Sequence, residues 1–189
     1  MDAPDSTSVH SAGNVLLPGG FILKFAAECH LEGLDALVND PAVAGWLGGT
    51  RSREAVLKII QDERQHWARH GFGPWVIIDS STGELIGRGG LRWTEVLGRP
   101  EVELFYAVTP AQWGKGIATA MSRVALKTGF SHPAVASVIA FTIHSNKASQ
   151  RVAEKMRFRR EGEFEHANLQ HVLFRLTKSQ YQEPHPSPE

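Results

Sequence analysis

The chain is short of cysteine, of tyrosine and of net charge, and each shortage closes off a class of protein. Cys29 is the only cysteine, so an internal disulfide framework and a cysteine-built zinc site are both excluded. Twenty Lys+Arg balance twenty Asp+Glu, which leaves no long-range attraction to nucleic acid or to an anionic membrane. No apolar run approaches the roughly 20 residues needed to cross a bilayer. The first fourteen residues carry Asp2, Pro4 and Asp5 without an apolar stretch, which is not the form of a secretion signal. What remains, at 189 residues of which 42% are hydrophobic, is one soluble domain with a sizeable core, expected in the reducing cytoplasm.

One further absence is local. From Leu104 to Ala153 there is no Asp or Glu, yet Lys115, Arg123, Lys127, Lys147 and Arg151 lie within the stretch. Two readings stay open: an apolar core segment, or a field suited to an anionic ligand. The second needs the fold to bring those residues together.

Residues 1–14 are polar and Pro/Ser-rich and are expected to be disordered. Phe21 to Phe25 has strand character, and Glu28 to Val38 has helical spacing ended by Asn39-Asp40-Pro41. A glycine-rich connection (Gly45, Gly48, Gly49) leads to a second helix that Thr50 or Ser52 can cap and Gly71 can stop. Trp75–Ile78 and Glu84–Trp93 read as a hairpin, and Glu101–Val108 as the next strand of the meander. The spacing then predicts a helix from Gly114 to about Lys127, a strand over Val135–Thr142 and a helix over Asn146–Met156. Strands over Phe158–Phe164 and Gln170–Leu176 follow, joined by a turn across Phe164–His171. The expected layout is one domain over 15–178 with a flexible tail over 179–189. His66 and His70, four apart without a third ligand, read as a solvated helix face and not a metal site. Cys29 reads as a small buried apolar residue.

The segment Val108-Thr109-Pro110-Ala111-Gln112-Trp113-Gly114-Lys115-Gly116-Ile117-Ala118-Thr119 lies between a strand and a helix. N–H groups at a helix start have no internal partners, and glycines let a phosphate approach them and the positive end of the helix dipole. A Walker loop is excluded, because Pro110 or Ala111 stands at its first glycine and Gly116 follows Lys115. A dinucleotide fingerprint is excluded too, since Thr119 stands at its third glycine and no acid follows about twenty residues on.

What is left resembles the GCN5-related N-acetyltransferase (GNAT) superfamily. Its pyrophosphate loop has the pattern Gln/Arg-x-x-Gly-x-Gly/Ala, and Gly116 and Ala118 occupy the last two fixed positions with Trp113 in the Gln/Arg place. Trp113-Gly114-Lys115-Gly116-Ile117-Ala118-Thr119 is similar to the version found in the ribosomal-protein alanine and serine acetyltransferase branch. Glu103-Leu104-Phe105-Tyr106 is close to that branch's Glu-Ile/Leu-Gly-Tyr strand, with Phe105 for the glycine, and Asn146-Lys147-Ala148-Ser149 to its Asn-x-x-Ser. The order of elements agrees from about Gly20 to Leu176.

The resemblance implies an α/β (α+β) acyl-CoA N-acyltransferase fold: a mixed, mostly antiparallel sheet of about seven strands with helices on both faces. It implies acetyl-CoA as donor, a primary amine (a protein N-terminus or a small molecule) as acceptor, no metal, and a monomer or homodimer. Acetyl-CoA would lie where two parallel strands splay, against the backbone of Ala107 and Val108. Trp113, Gly114, Lys115, Gly116, Ile117, Ala118 and Thr119 would form the pyrophosphate loop, with Asn146 on the pantetheine. Asn146 also fits a plain helix cap, and the two roles are compatible.

Acyl transfer needs an amine stripped of its proton, a donor for the oxyanion and a proton for the departing thiolate. Glu103 is the candidate base, with Glu101 on the same strand face, unless both simply pair with Arg88 or Arg92. Many relatives use a tyrosine as acid. Here Tyr106 lies on the opposite strand face from Glu103 and Tyr181 lies in the tail, so Ser149 takes that role through its motif. By the resemblance the first two helices wall the acceptor site, which places Trp46 or Phe72 to touch substrate. The alternative is a non-catalytic acyl-CoA-binding module, favoured by the missing tyrosine and by Phe105.

Overall fold

In a computed structural model, residues 14–183 are described; the expected loose segments at 1–13 and 184–189 lie outside them. Eight strands form one sheet, β1 (Val15–Leu17), β2 (Phe21–Lys24), β3 (Pro74–Asp79), β4 (Leu85–Val96), β5 (Arg99–Val108), β6 (Ser137–Ile143), β7 (Arg159–His166) and β8 (Leu169–Thr177). Their spatial order is β1-β2-β3-β4-β5-β6-β8-β7. Every neighbouring pair is antiparallel except β5 and β6. A parallel pair needs a crossover connection, and helix α4 (Ile117–Ser131) supplies it.

The hairpin between β3 and β4 follows from its turn chemistry: Asp79 Oδ1 accepts from the Ser81 N–H at 2.9 Å, and Gly83 takes the left-handed φ of +76°. Alternation along β5 sends Val102, Leu104 and Val108 to the core shared with α4 and α5 (Lys147–Lys155). Ala107 points the other way, to a second core built with α1 (Leu31–Asn39), α2 (Pro41–Ala44) and α3 (Arg53–His70). Helices therefore cover both faces. α4 lies so close to β4 that a Cβ at Gly129 would meet Leu91 Cδ1 at 2.1 Å. Beyond β5, on the α1–α3 side, the small cluster of Val96, Ile139, Phe164 and Leu173 contains no helix residue. No helix among the described residues is long and apolar enough to cross a membrane.

Several local expectations change. The eighth strand, β1, is three residues long, too short to show a period. Pro41 ends α1 as expected and then opens α2, where it sits in the first turn and Asp40 caps by accepting from the Ala42 N–H at 2.8 Å. Ser52, not Thr50, caps α3, and Gly71 stops it at φ +68°. The tail begins with a helix, α6 (Lys178–Gln182), because Thr177 and Gln180 form a capping box and Tyr181 stacks on Phe130 at 4.8 Å. The turn after β7 shrinks to Ala167 and Asn168, both left-handed, so Phe164–His166 and Leu169–His171 are strand. Cys29 is exposed in the turn that precedes α1.

His66 is not on a solvated face. Its Nδ1 meets the Phe72 carbonyl at 2.8 Å and its Nε2 accepts from the Trp93 N–H at 2.9 Å, so the neutral ring ties α3 to β4. Burial above all holds its pKa below the ordinary value; the Phe72 carbonyl opposes this, while His70 and Arg92 add to it. Glu63 makes a second tie. It is 6% exposed on α3 and ion-pairs with Arg88 of β4, itself 7% exposed.

Removing one partner of a buried pair leaves an uncompensated charge. Glu63→Ala is expected to lower the unfolding free energy by about 3–5 kcal/mol, read from the urea midpoint at constant slope. Asp62→Ala, which breaks an exposed pair with Lys58, should shift it by less than about 1 kcal/mol.

Candidate active site at the opening between β5 and β6

β5 and β6 share a single bridging pair, Glu103 opposite Ile139. Past that point β5 stays paired to β4 as far as Val108, and β6 to β8 as far as Ile143. The two strands part while each keeps its outer neighbour, so the edges between them carry main-chain groups without a ladder. Which groups face the opening follows from alternation. The Thr109 N–H donates to the Ile86 carbonyl on β4 at 2.8 Å. Phe105 and Ala107 therefore turn their main chain toward β4, and Tyr106 and Val108 turn theirs into the opening. Of the two residues expected at the opening, Val108 faces it and Ala107 does not.

The loop that follows folds back onto the end of β5. Trp113 Nε1 donates to the Val108 carbonyl at 2.7 Å while the residue stays half exposed. This explains a tryptophan where relatives carry Gln or Arg: its indole N–H closes the loop. Gly114 and Gly116 take φ of +78° and +77°, and an added Cβ at either would meet nothing, so backbone conformation alone requires them. Gly116 starts α4 without a side-chain cap, and the first helical bond runs from the Ala120 N–H to the Gly116 carbonyl. The N–H groups of Ile117, Ala118 and Thr119 precede it, and they point out of the helix start with the dipole behind them. Lys115 Nζ donates to Gln112 Oε1 at 2.8 Å. α4 and α5 share one core with β5 and β6, so the acid-free stretch surrounds the opening on one side of the sheet.

Asn146 caps α5, its Oδ1 accepting from the Ser149 N–H at 3.0 Å. Ser149 Oγ lies 2.9 Å from the Tyr106 hydroxyl, which also lies 3.2 Å from the Ser149 carbonyl. Tyr106 is indeed on the face opposite Glu103, and that is the face where Ser149 sits. The tyrosine that sequence reasoning set aside therefore partners the serine it chose. Only the packing of α5 reveals this, since 43 residues separate the two. Burial pushes the Tyr106 phenol up to about 12, against a smaller opposing effect of Ser149.

On the other face, Glu103 is 3% exposed and accepts from Arg92 Nε at 2.8 Å. Glu101 is held by both terminal nitrogens of Arg175, at 2.9 and 2.8 Å, and takes no part at the opening. Phe105 lies under two guanidinium groups, Arg88 at 4.8 Å and Arg92 at 4.4 Å from its ring centre. A side chain for the usual glycine thus anchors arginines here. Phe141, Phe164, His166 and His171 pack as an aromatic patch on β6–β8. Phe72 is 1% exposed within the α4-side core and does not reach an acceptor, whereas Trp46 is exposed.

Residues 21–159 match the Acetyltransferase (GNAT) domain family. The chain belongs to that family. Within the GNAT acetyltransferases it is similar to the uncharacterized protein YkkB of Bacillus subtilis (strain 168), 28% identical over 120 residues, covering 64% of this chain and 70% of that one. The GNAT sheet superposes on a ribosomal-protein alanine acetyltransferase from Vibrio fischeri with a TM-score of 0.70 at 16% identity, covering 90% of this chain and 100% of that one. It also superposes on an aminoglycoside acetyltransferase in complex with coenzyme A, with a TM-score of 0.68 at 21% identity and coverage of 86% and 97%.

Tyr106 makes a pH-dependent test available. Its folded pKa lies above the unfolded value of about 10, so the buried neutral phenol stabilises the fold below pH 10, and that contribution is lost as pH rises toward 12. Wild-type unfolding free energy should fall across pH 10–12 more steeply than that of Tyr106→Phe, measured by urea titration in that window.

Proposed function

We propose that this acetyltransferase moves acetyl from acetyl-CoA to a primary amine, on a protein N-terminus or a small molecule, by direct attack in a ternary complex. The observation that carries the reading is the unpaired β5 edge, which opens beside a left-handed glycine loop and free helix-start N–H groups. The pantetheine arm of the donor pairs with the main chain of Tyr106 and Val108 as an added strand. N–H groups from Gly114 to Thr119 hold the pyrophosphate. Asn146 uses its oxygen as a cap, which leaves its amide hydrogens for the pantetheine.

The two faces of β5 divide the chemistry. The amine approaches from the side of Glu103, which takes its proton directly or through a water. As the N–C bond forms, a main-chain N–H on the β5 edge donates to the oxyanion. The C–S bond then breaks, and the thiolate takes a proton from the hydroxyl pair of Tyr106 and Ser149 on the far side. A phenol held near pKa 12 remains protonated at every working pH, and the serine hydroxyl relays it. The hydroxyl pair removes the missing tyrosine as a reason to prefer a non-catalytic module.

Calorimetric titration with acetyl-CoA is expected to show micromolar binding, and amines should release free CoA. Tyr106→Phe is expected to lower kcat by about 10²-fold, with the dissociation constant for acetyl-CoA within about threefold of wild type. Full turnover in Tyr106→Phe, Ser149→Ala and the double variant would remove the acid assignment. Absence of acetyl-CoA binding by folded protein would remove the function.

A further inference from the structure

Glu103 shares its side of the sheet with an unusual balance of charge. Arg88 spends its charge on Glu63, and Arg92 engages Glu103 through Nε alone. The Arg92 side chain is 43% exposed, and its two terminal nitrogens have no hydrogen-bond partner among the described residues. Arg51 adds a third guanidinium within electrostatic reach of both. Its position is built. Asn39 Oδ1 accepts from the Arg51 N–H at 2.7 Å, and Asn39 Nδ2 donates to the Arg51 carbonyl at 3.1 Å. The guanidinium itself donates to the Gly49 and Leu47 carbonyls at 2.9 and 2.8 Å, with no carboxylate as partner. Burial, then the like charges of Arg88 and Arg92, lower its pKa.

Three cations thus converge on two carboxylates beside Phe105, and both carboxylates are already engaged. Holding a third guanidinium there by main-chain anchors costs repulsion that one anion would offset. A planar fork with free N–H groups matches a carboxylate, which it takes through two parallel hydrogen bonds.

We infer that the acceptor is a primary amine whose own skeleton carries a carboxylate, which docks on Arg51 and the free edge of Arg92 while the amine reaches Glu103. This rests on the acetyl-transfer reading and narrows its substrate class. It disfavours polycationic amines, which the same field repels. The guanidinium anchors on Leu47 and Gly49 also order the connection between α2 and α3, so the acceptor's anion and that loop are held by one side chain.

The test uses the full chain at saturating acetyl-CoA, with α- and ω-amino acids each paired with its carboxamide, and spermidine as a polycation. CoA release gives kcat/KM, and calorimetry on CoA-loaded protein gives amine binding without turnover. At least one amino acid is expected to exceed its carboxamide by tenfold or more in kcat/KM, chiefly through KM. Arg51→Gln should bring that ratio near one, and Arg51→Lys should restore part of it. Because Asn39 holds the main chain of residue 51, these variants keep the loop's backbone anchor. Carboxamides or spermidine matching the amino acids overturns this inference and leaves acetyl transfer standing. So does the absence of both binding and turnover for every amino acid tried when acetyl-CoA binds. Failure of acetyl-CoA itself to bind removes both.

Discussion

A parallel pair of strands joined at one bridge and then let apart is the constraint on which the site depends. Main-chain N–H and C=O groups need partners, and a sheet normally supplies them along its whole length. Here β4 and β8 hold β5 and β6 from outside, so the opening cannot close without breaking a longer ladder on either side. Val108 gives its carbonyl to Trp113, which fixes the loop against the strand end. The remaining edge is a template for an extended ligand, and α4 begins where that ligand would continue.

The same opening separates two chemical environments. Toward α4 and α5 there is an apolar core, no carboxylate over a long stretch of chain, and a hydroxyl pair kept neutral by burial. Toward α1–α3 there are ion pairs, two arginines on Phe105 and the half-buried Arg51. Residues 103 and 106 on one strand point to opposite sides because the pleat has period two. A group held in the opening therefore meets proton acceptor and proton donor from different directions, as acyl transfer requires.

Much of this was legible in the sequence because it was written in local rules. Turn residues placed the β3–β4 hairpin, alternation assigned the faces of β5, and the glycine spacing marked the loop before α4. The Asn146 cap followed from its position before a helix. What was illegible depended on packing between distant segments. Tyr106 reads as misplaced until α5 brings Ser149 onto its hydroxyl. His66 reads as solvent-facing until β4 offers the Trp93 N–H. Arg51 sits in a glycine-rich connection, and nothing in its neighbours shows that it faces Arg88 and Arg92. β1 and α2 are too short to carry a period, and α6 depends on a capping box at a strand end. Phe105 looked like a lost glycine, and the fold shows it as the platform for two arginines.

Hydrogen exchange of individual amides, with and without acetyl-CoA, tests the central claim most directly. In the free protein the Val108 amide should exchange quickly although its neighbours on β5 are paired to β4, and so should those of Ile117, Ala118 and Thr119. Acetyl-CoA should slow all of them together and leave the β7–β8 hairpin unchanged. Saturating binding with no added protection on β5 would contradict the account, because the donor would then lie elsewhere.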